Sequence, residues 1–274
     1  MTFLRINDIL TKLKTCIIFR KPFCHIRFGD GGIKFLHAVL TRDLKQLNQI
    51  LKKEGIPLEK VIYVLEEWGH AARIADCIDT PQVYFDGSFW PRIKKRNRNI
   101  SKTTSQKMSI WYDLYKRSEF DNDCFCNPES NYLMLLRNLP FTLLDVLKGR
   151  KICVITARPE VRNVLQTIVK QVSVIPIVSQ WQNHFNVCFD SVIDRIKTTA
   201  KDYDFWLVAA GELGRIYSGK IKENGGRSVD IGFVVDYWLD RQIHPRLQPF
   251  MQPSIVNRLQ LVLTEEGKKY LENI

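Results

Sequence analysis

Between Lys151 and Val234 short apolar runs alternate with helical stretches, and that rhythm leaves few folds open to the chain. Lys151-Ile152-Cys153-Val154-Ile155-Thr156 reads as a buried strand, followed by Arg158-Pro159 and a helix from Glu160 to Lys170. Val172 to Val178 reads as a second strand, with a helix from Cys188 to Lys201 after it. Asp204 to Ala210 is a third strand, and the turn Gly211-Glu212-Leu213-Gly214-Arg215 leads into a helix over Ile216 to Lys222. Gly225-Gly226 stops that helix before a fourth strand, Ser228 to Val234. Strands separated by helices are joined most simply as parallel neighbours with the helices packed on the sheet faces. The expectation is therefore α/β: a Rossmann-like, mostly parallel sheet flanked by helices.

The first half opens in the same way. Residues 1–15 carry apolar side chains at helical spacing, and Phe23 to Phe28 is a short strand-like run ending in Gly29-Asp30-Gly31-Gly32. Ile33 to Leu40 and Asp43 to Gly55 read as helices, the second with Gly55 as its C-cap. Val61 to Leu65 fits either a strand or a buried helix turn, Gln82 to Phe85 is a short apolar run, and Ser105 to Lys148 reads as largely helical with a break at Pro140. With 274 residues, 45% of them hydrophobic, the chain can bury a full core.

The formal charge is +12, and a basic surface attracts polyanions: nucleic acid, anionic lipid headgroups or phosphorylated substrates. Part of the excess is local. From Trp90 to Lys107 lie Arg92, Lys94, Lys95, Arg96, Arg98, Lys102 and Lys107 with no acid among them, which suits a solvated loop, a flap over an anionic ligand, or a nucleic-acid surface. No apolar run reaches the roughly 18–20 residues needed to span a bilayer. The apolar piece Cys16 to Phe19 is cut short by Arg20 and Lys21, unlike a signal peptide. Seven scattered cysteines suit reduced thiols, and the expected location is the cytoplasm.

In open α/β sheets ligands bind at the carboxyl ends of strands, on the loops that enter helices. Three loops qualify. In the first, Arg27 and Asp30 flank Gly29, and Gly31 follows; the glycines let the backbone approach a phosphate, and Asp30 could hold a divalent metal. The plainer alternative has Asp30 capping the helix and Arg27 pairing with it. The second loop offers Thr156 and Arg158, whose guanidinium could clamp a phosphate or simply face solvent. The third, Gly211, Glu212, Gly214 and Arg215, could cradle a phosphate or ribose, or could serve tight helix–strand packing. Asp230 and Asp236 flank an expected strand over Ile231 to Val235, as general base, metal ligand, or solvated cap. The five histidines show no metal-ligand spacing, Cys124-Phe125-Cys126 lacks zinc spacing, and neither a P-loop nor a nucleophile elbow occurs.

Taken together, Phe23 to Gly31 (FCHIRFGDG) and Leu207 to Asp240 (LVAAGELGRIYSGKIKENGGRSVDIGFVVDYWLD) resemble the two signature blocks of the GT-D fold glycosyltransferases. The resemblance implies one domain over 1–274, with an unmatched, largely helical middle insertion at about 86–148. It implies transfer of a sugar from a nucleotide-diphosphate donor, typically a UDP-sugar, to a glycan acceptor, lipid- or protein-linked, with peripheral membrane contact and no specific nucleic acid. Carried over by position, Arg27, Gly29, Asp30, Gly31, Gly211, Glu212, Gly214, Arg215 and Asp230 would line the donor site, and Asp30 and Asp236 would be catalytic. A divalent cation, Mn²⁺ or Mg²⁺, would be held by Asp30 together with the Glu of an Asp-x-Glu motif. Here Gly32 stands at the place of that Glu, which leaves three outcomes: a substitute ligand, metal-independent transfer, or lost activity. The competing function is a degenerate, non-catalytic basic protein that binds nucleic acid or a polyanionic glycan.

Overall fold

The computed structural model describes residues 6–27, 32, 35, 38–39, 41–79, 125–126, 146–179 and 181–239. Among them seven strands form one sheet: β1 (Phe23–Arg27), β2 (Cys77–Asp79), β3 (Phe125–Cys126), β4 (Lys151–Thr156), β5 (Gln171–Pro176), β6 (Phe205–Ala209) and β7 (Arg227–Asp230). They lie in the order β3-β2-β1-β7-β6-β4-β5, and every pairing is parallel. The chain leaves β1 toward one edge and β4 toward the other, then returns through β6 and β7 to the middle. The fold class read from the sequence is the one observed.

Side chains alternate across each strand, so the sheet divides the interior into two cores. Cys153 and Ile155 of β4, with Trp206 and Val208 of β6, face one side. There they meet α2 (Leu44–Glu54), α3 (Val61–Ile74), α5 (His184–Thr199) and α6 (Gly214–Glu223). Ile152, Val154, Phe205 and Leu207 face the other side, against α1 (Ile6–Ile18), α4 (Val161–Leu165) and α7 (Val234–Trp238). Both faces are covered, which is why these strands read as unbroken apolar runs.

The structure decides one open reading and departs from two others. Val61 to Leu65 is the start of α3, because Val61, Val64, Trp68, Ala71 and Ala72 repeat at helical spacing and are all buried. The helix after β4 ends at Leu165, well short of Lys170. Gln171 must reach the start of β4 to pair with Lys151, and the N–H groups of Lys170 and Gln171 both donate to the Arg150 carbonyl. The last strand stops at Asp230: the N–H groups of Ile231 and Gly232 both turn to the Val208 carbonyl, and Val234 onward is helical, burying Val234, Val235 and Trp238. Asp236 thus sits in a short helix rather than at a strand end. The middle stretch expected to be helical contains the two-residue edge strand β3; its other residues up to 145, like the basic run 90–107, lie outside the described residues.

Candidate functional site

A cleft of about 870 Å³ opens over the carboxyl ends of β1, β7, β6 and β4. Such a crevice forms where neighbouring strands send their following loops in opposite directions. Arg27, the last residue of β1, Asp230, the last of β7, and Gly211, Glu212 and Arg215 after β6 all line it, as do Thr156 and Arg158 after β4 and Asp236 in α7.

Nearly every charge in the cleft is held by another. The Arg27 Nε donates to Asp79 Oδ2 on β2 at 3.2 Å, and its guanidinium lies 5.2 Å from the Phe233 ring centre. Arg215 is buried, 4% exposed; its Nε donates to the Arg27 carbonyl and its Nη1 to Glu212 Oε2. Its guanidinium stacks 4.6 Å from the Trp68 ring, and Trp68 Nε1 donates to the Glu212 carbonyl at 3.1 Å. Arg215 thus locks the β1 loop to the β6 loop. On the far side Arg158 donates through Nε to Asp236 Oδ1 at 3.0 Å and through Nη1 to Ser179 Oγ at 3.2 Å. Arg158, for which the sequence left both a phosphate clamp and a solvent-facing position open, is half-buried and part of the cleft wall.

Asp230 is 5% exposed. Burial pushes its carboxyl upward, while Arg27, Arg215 and the Gly232 N–H, 3.0 Å from Oδ1, pull it back down. Both guanidinium groups act on this carboxyl, so it responds to a change of charge in the cleft.

Of the residues expected to bind a donor, Arg27, Gly211, Glu212, Arg215 and Asp230 come together here, with Asp236 across the cleft. Gly214 begins α6 and packs instead on the β6 side chains: a Cβ there would stand 3.3 Å from Val208 Cγ1. Gly29, Asp30 and Gly31 lie outside the described residues. Residues on either side of them converge on Arg215. Arg27 accepts its Nε hydrogen bond, and a Cβ on Gly32 would stand 2.9 Å from its Nη2.

Sequence reasoning did not find two titratable groups buried beside the cleft, Glu54 and His184. Glu54, the last residue of α2, is fully buried, and the Lys53 ammonium is 3.8 Å away. Burial, with Glu212 nearby, pushes its carboxyl up to about 7. Beside it His184 shares a 3.0 Å hydrogen bond with the Tyr217 hydroxyl, and burial lowers its imidazole to about 4. The sign of each effect on stability follows from which state binds more protons. Glu54 is protonated in the folded chain when the unfolded chain has already lost its proton, so its stabilisation is complete below about 4.5 and is lost as pH rises through about 7. The loss approaches roughly 3 kcal/mol, since each pKa unit is worth about 1.4 kcal/mol. His184 acts in the opposite direction, losing stability as pH falls below 6.5 toward 4. Glu54→Gln is expected to flatten the alkaline fall in urea-unfolding stability between pH 5 and 8 and to leave the acid limb alone; an unchanged alkaline slope would show that Glu54 is not its source.

No match is found among curated proteins. Three solved structures resemble the chain over 88% of its length. One, described as a new glycosyltransferase (domain of unknown function 1792) from Streptococcus sanguinis, has 15% identity and a TM-score of 0.55, with 85% of its own chain covered. The second, reported to show that the highly conserved domain of unknown function 1792 has a distinct glycosyltransferase fold, has 14% identity and a TM-score of 0.52 over 83% of its chain. The third, a selenomethionine-substituted structure of the same domain type, has 15% identity and a TM-score of 0.54 over 83%. At such identities the likeness establishes a shared fold. The model of the GT-D fold-like domain matches residues 4–238, most of the sequence, and on that match the chain belongs to the GT-D fold-like family.

Proposed function

We propose that the protein is a glycosyltransferase that moves a sugar from a nucleotide-diphosphate donor, a UDP-sugar, to a glycan acceptor. The observation that carries this reading is the convergence on one cleft of Arg27 and Asp230, from the ends of β1 and β7, with Arg215, from the start of α6. The acceptor hydroxyl attacks the anomeric carbon, and the bond from that carbon to the diphosphate oxygen breaks. Negative charge then grows on the departing diphosphate. Guanidinium groups fixed in advance stabilise such charge without having to reorganise, and Arg27 and Arg215 are fixed by Asp79, Glu212 and Trp68. In this reading Asp236, about one-third exposed and held by Arg158, takes the acceptor proton, with Asp30 as the second carboxylate.

A cation held by an Asp-x-Glu pair does not fit this chain. Gly32 provides no carboxylate, and the space into which a side chain there would grow is filled by the Arg215 guanidinium. We therefore assign the neutralisation of the diphosphate to arginine. The free thiols of Cys16, Cys24, Cys77, Cys153 and Cys188 support a cytoplasmic setting, and no described helix is long and apolar enough to cross a membrane.

UDP at a hundredfold excess over its Kd is expected to raise Tm by roughly 5–10 °C, as much in EDTA as in Mn²⁺. If no nucleotide or nucleotide sugar raises Tm in either condition, the donor reading fails. If UDP binds but no sugar is transferred from any UDP-sugar, the chain is the degenerate binder instead.

A further inference from the structure

Three of the tryptophans, Trp68, Trp206 and Trp238, are buried in the two cores, whereas Trp181 is 64% exposed at the rim of the cleft. An isolated exposed aromatic is ordinary on a protein surface. This one is held there by a small scaffold. Its backbone has φ of 72°, a left-handed conformation unfavourable for a bulky side chain, and Asn183, two residues on, has φ of 60°. The Trp181 N–H donates to the Lys53 carbonyl at 2.7 Å. Ser179 and Gln182 close the turn on each other, the Ser179 N–H to Gln182 Oε1 at 2.9 Å and the Gln182 N–H to the Ser179 carbonyl at 3.1 Å. Asn186 Nδ2 bridges the Gly55 carbonyl and Asn183 Oδ1. Strain kept in a sparsely populated backbone conformation tends to mark positions that the surrounding structure fixes for use. Here the strain fixes an indole that no described side chain covers in ring contact.

We propose that Trp181 is a stacking platform for a ring of the substrate, so that the cleft runs from a diphosphate-binding end at Arg27 and Arg215 to a ring-binding end at Trp181. This rests on the donor reading above. Trp181, Lys53, Arg27 and Arg215 line the same cleft, and the Trp181 loop follows β5 at the opposite side of β6 from β1. The shared chemistry is a flat ring face laid on the indole, supplied either by the nucleobase of the donor or by the apolar face of a hexose. On the other side Ser179, which holds Arg158, links the platform to the Asp236 carboxylate.

The test compares wild type, Trp181→Ala and Trp181→Phe with three probes: pyrophosphate, UDP, and a set of methyl hexosides followed by saturation-transfer NMR. Trp181→Ala is expected to weaken a ring-bearing probe about tenfold, as base–aromatic stacking energies imply, and to leave pyrophosphate unchanged, with Trp181→Phe restoring most of the loss. Loss confined to UDP assigns the platform to the base; loss confined to hexosides assigns it to a sugar. Unchanged affinity for every probe overturns the platform. Equal weakening of pyrophosphate and UDP also overturns it, since that result means a disturbed loop. If wild type binds neither UDP nor pyrophosphate, the donor reading fails separately and the hexoside arm alone decides the platform.

Discussion

Replacing Arg215 by alanine is expected to lower the rate of sugar transfer at least a hundredfold, the scale seen when one fixed electrostatic donor is removed from a reaction centre, and to weaken UDP binding. The same substitution is expected to cost about 3–5 kcal/mol of stability, because it strands a buried partner charge. Glu212 is 9% exposed and ion-paired to this guanidinium, and the Arg27 carbonyl accepts its Nε hydrogen. The two effects separate in a double variant. Arg215→Met with Glu212→Leu removes both charges, so stability is expected to recover while UDP binding stays weakened. Urea unfolding reads the first and calorimetric UDP titration the second. A stable double variant with wild-type UDP affinity would remove Arg215 from the donor site.

Gly55→Ala is expected to destabilise the chain by about 2–4 kcal/mol, combining the left-handed backbone penalty with overpacking. Gly55 ends α2 with φ of 69°, and its N–H donates back to the Leu51 carbonyl. An added Cβ would stand 2.1 Å from Asn183 Oδ1, 2.5 Å from its Cα and 2.8 Å from its carbonyl carbon. Two of those atoms are backbone and cannot swing aside, so either α2 or the loop carrying Trp181 must shift. A urea midpoint equal to wild type would show that the loop yields at no cost.

Strands buried on both faces were the most legible part of the fold. Lys151 to Thr156 is the strand that was expected, since its neighbours and both helical layers ask for the same apolar residues. The Gly55 cap was legible because a left-handed helix terminus favours glycine. The apolar run from Ile231 to Val235 misled, because strand propensity competes with two hydrogen bonds to the Val208 carbonyl that the sequence does not show. In the cleft, loops at strand ends revealed Arg27, Glu212, Arg215, Asp230 and Asp236. Their partners were hidden by distance: Arg27 and Asp79 lie 52 residues apart, Arg158 and Asp236 78. Glu54 reads as an ordinary residue of the expected helix up to Gly55, and Trp68 falls in no expected element, because nothing local marks a side chain that will pack beside a cleft.

The position of β1 has a consequence for how the chain is made. Its residues Phe23 to His25 pair with Arg227 to Val229, about 200 residues downstream, so one side of the first strand waits for almost the last. During synthesis the N-terminal segment is an open edge, attractive to any other extended chain, until β7 arrives. A nascent chain halted before Arg227 has no neighbour for that edge and no Asp230 near its arginines, so assembly of the sheet and of the cleft is completed in one late event.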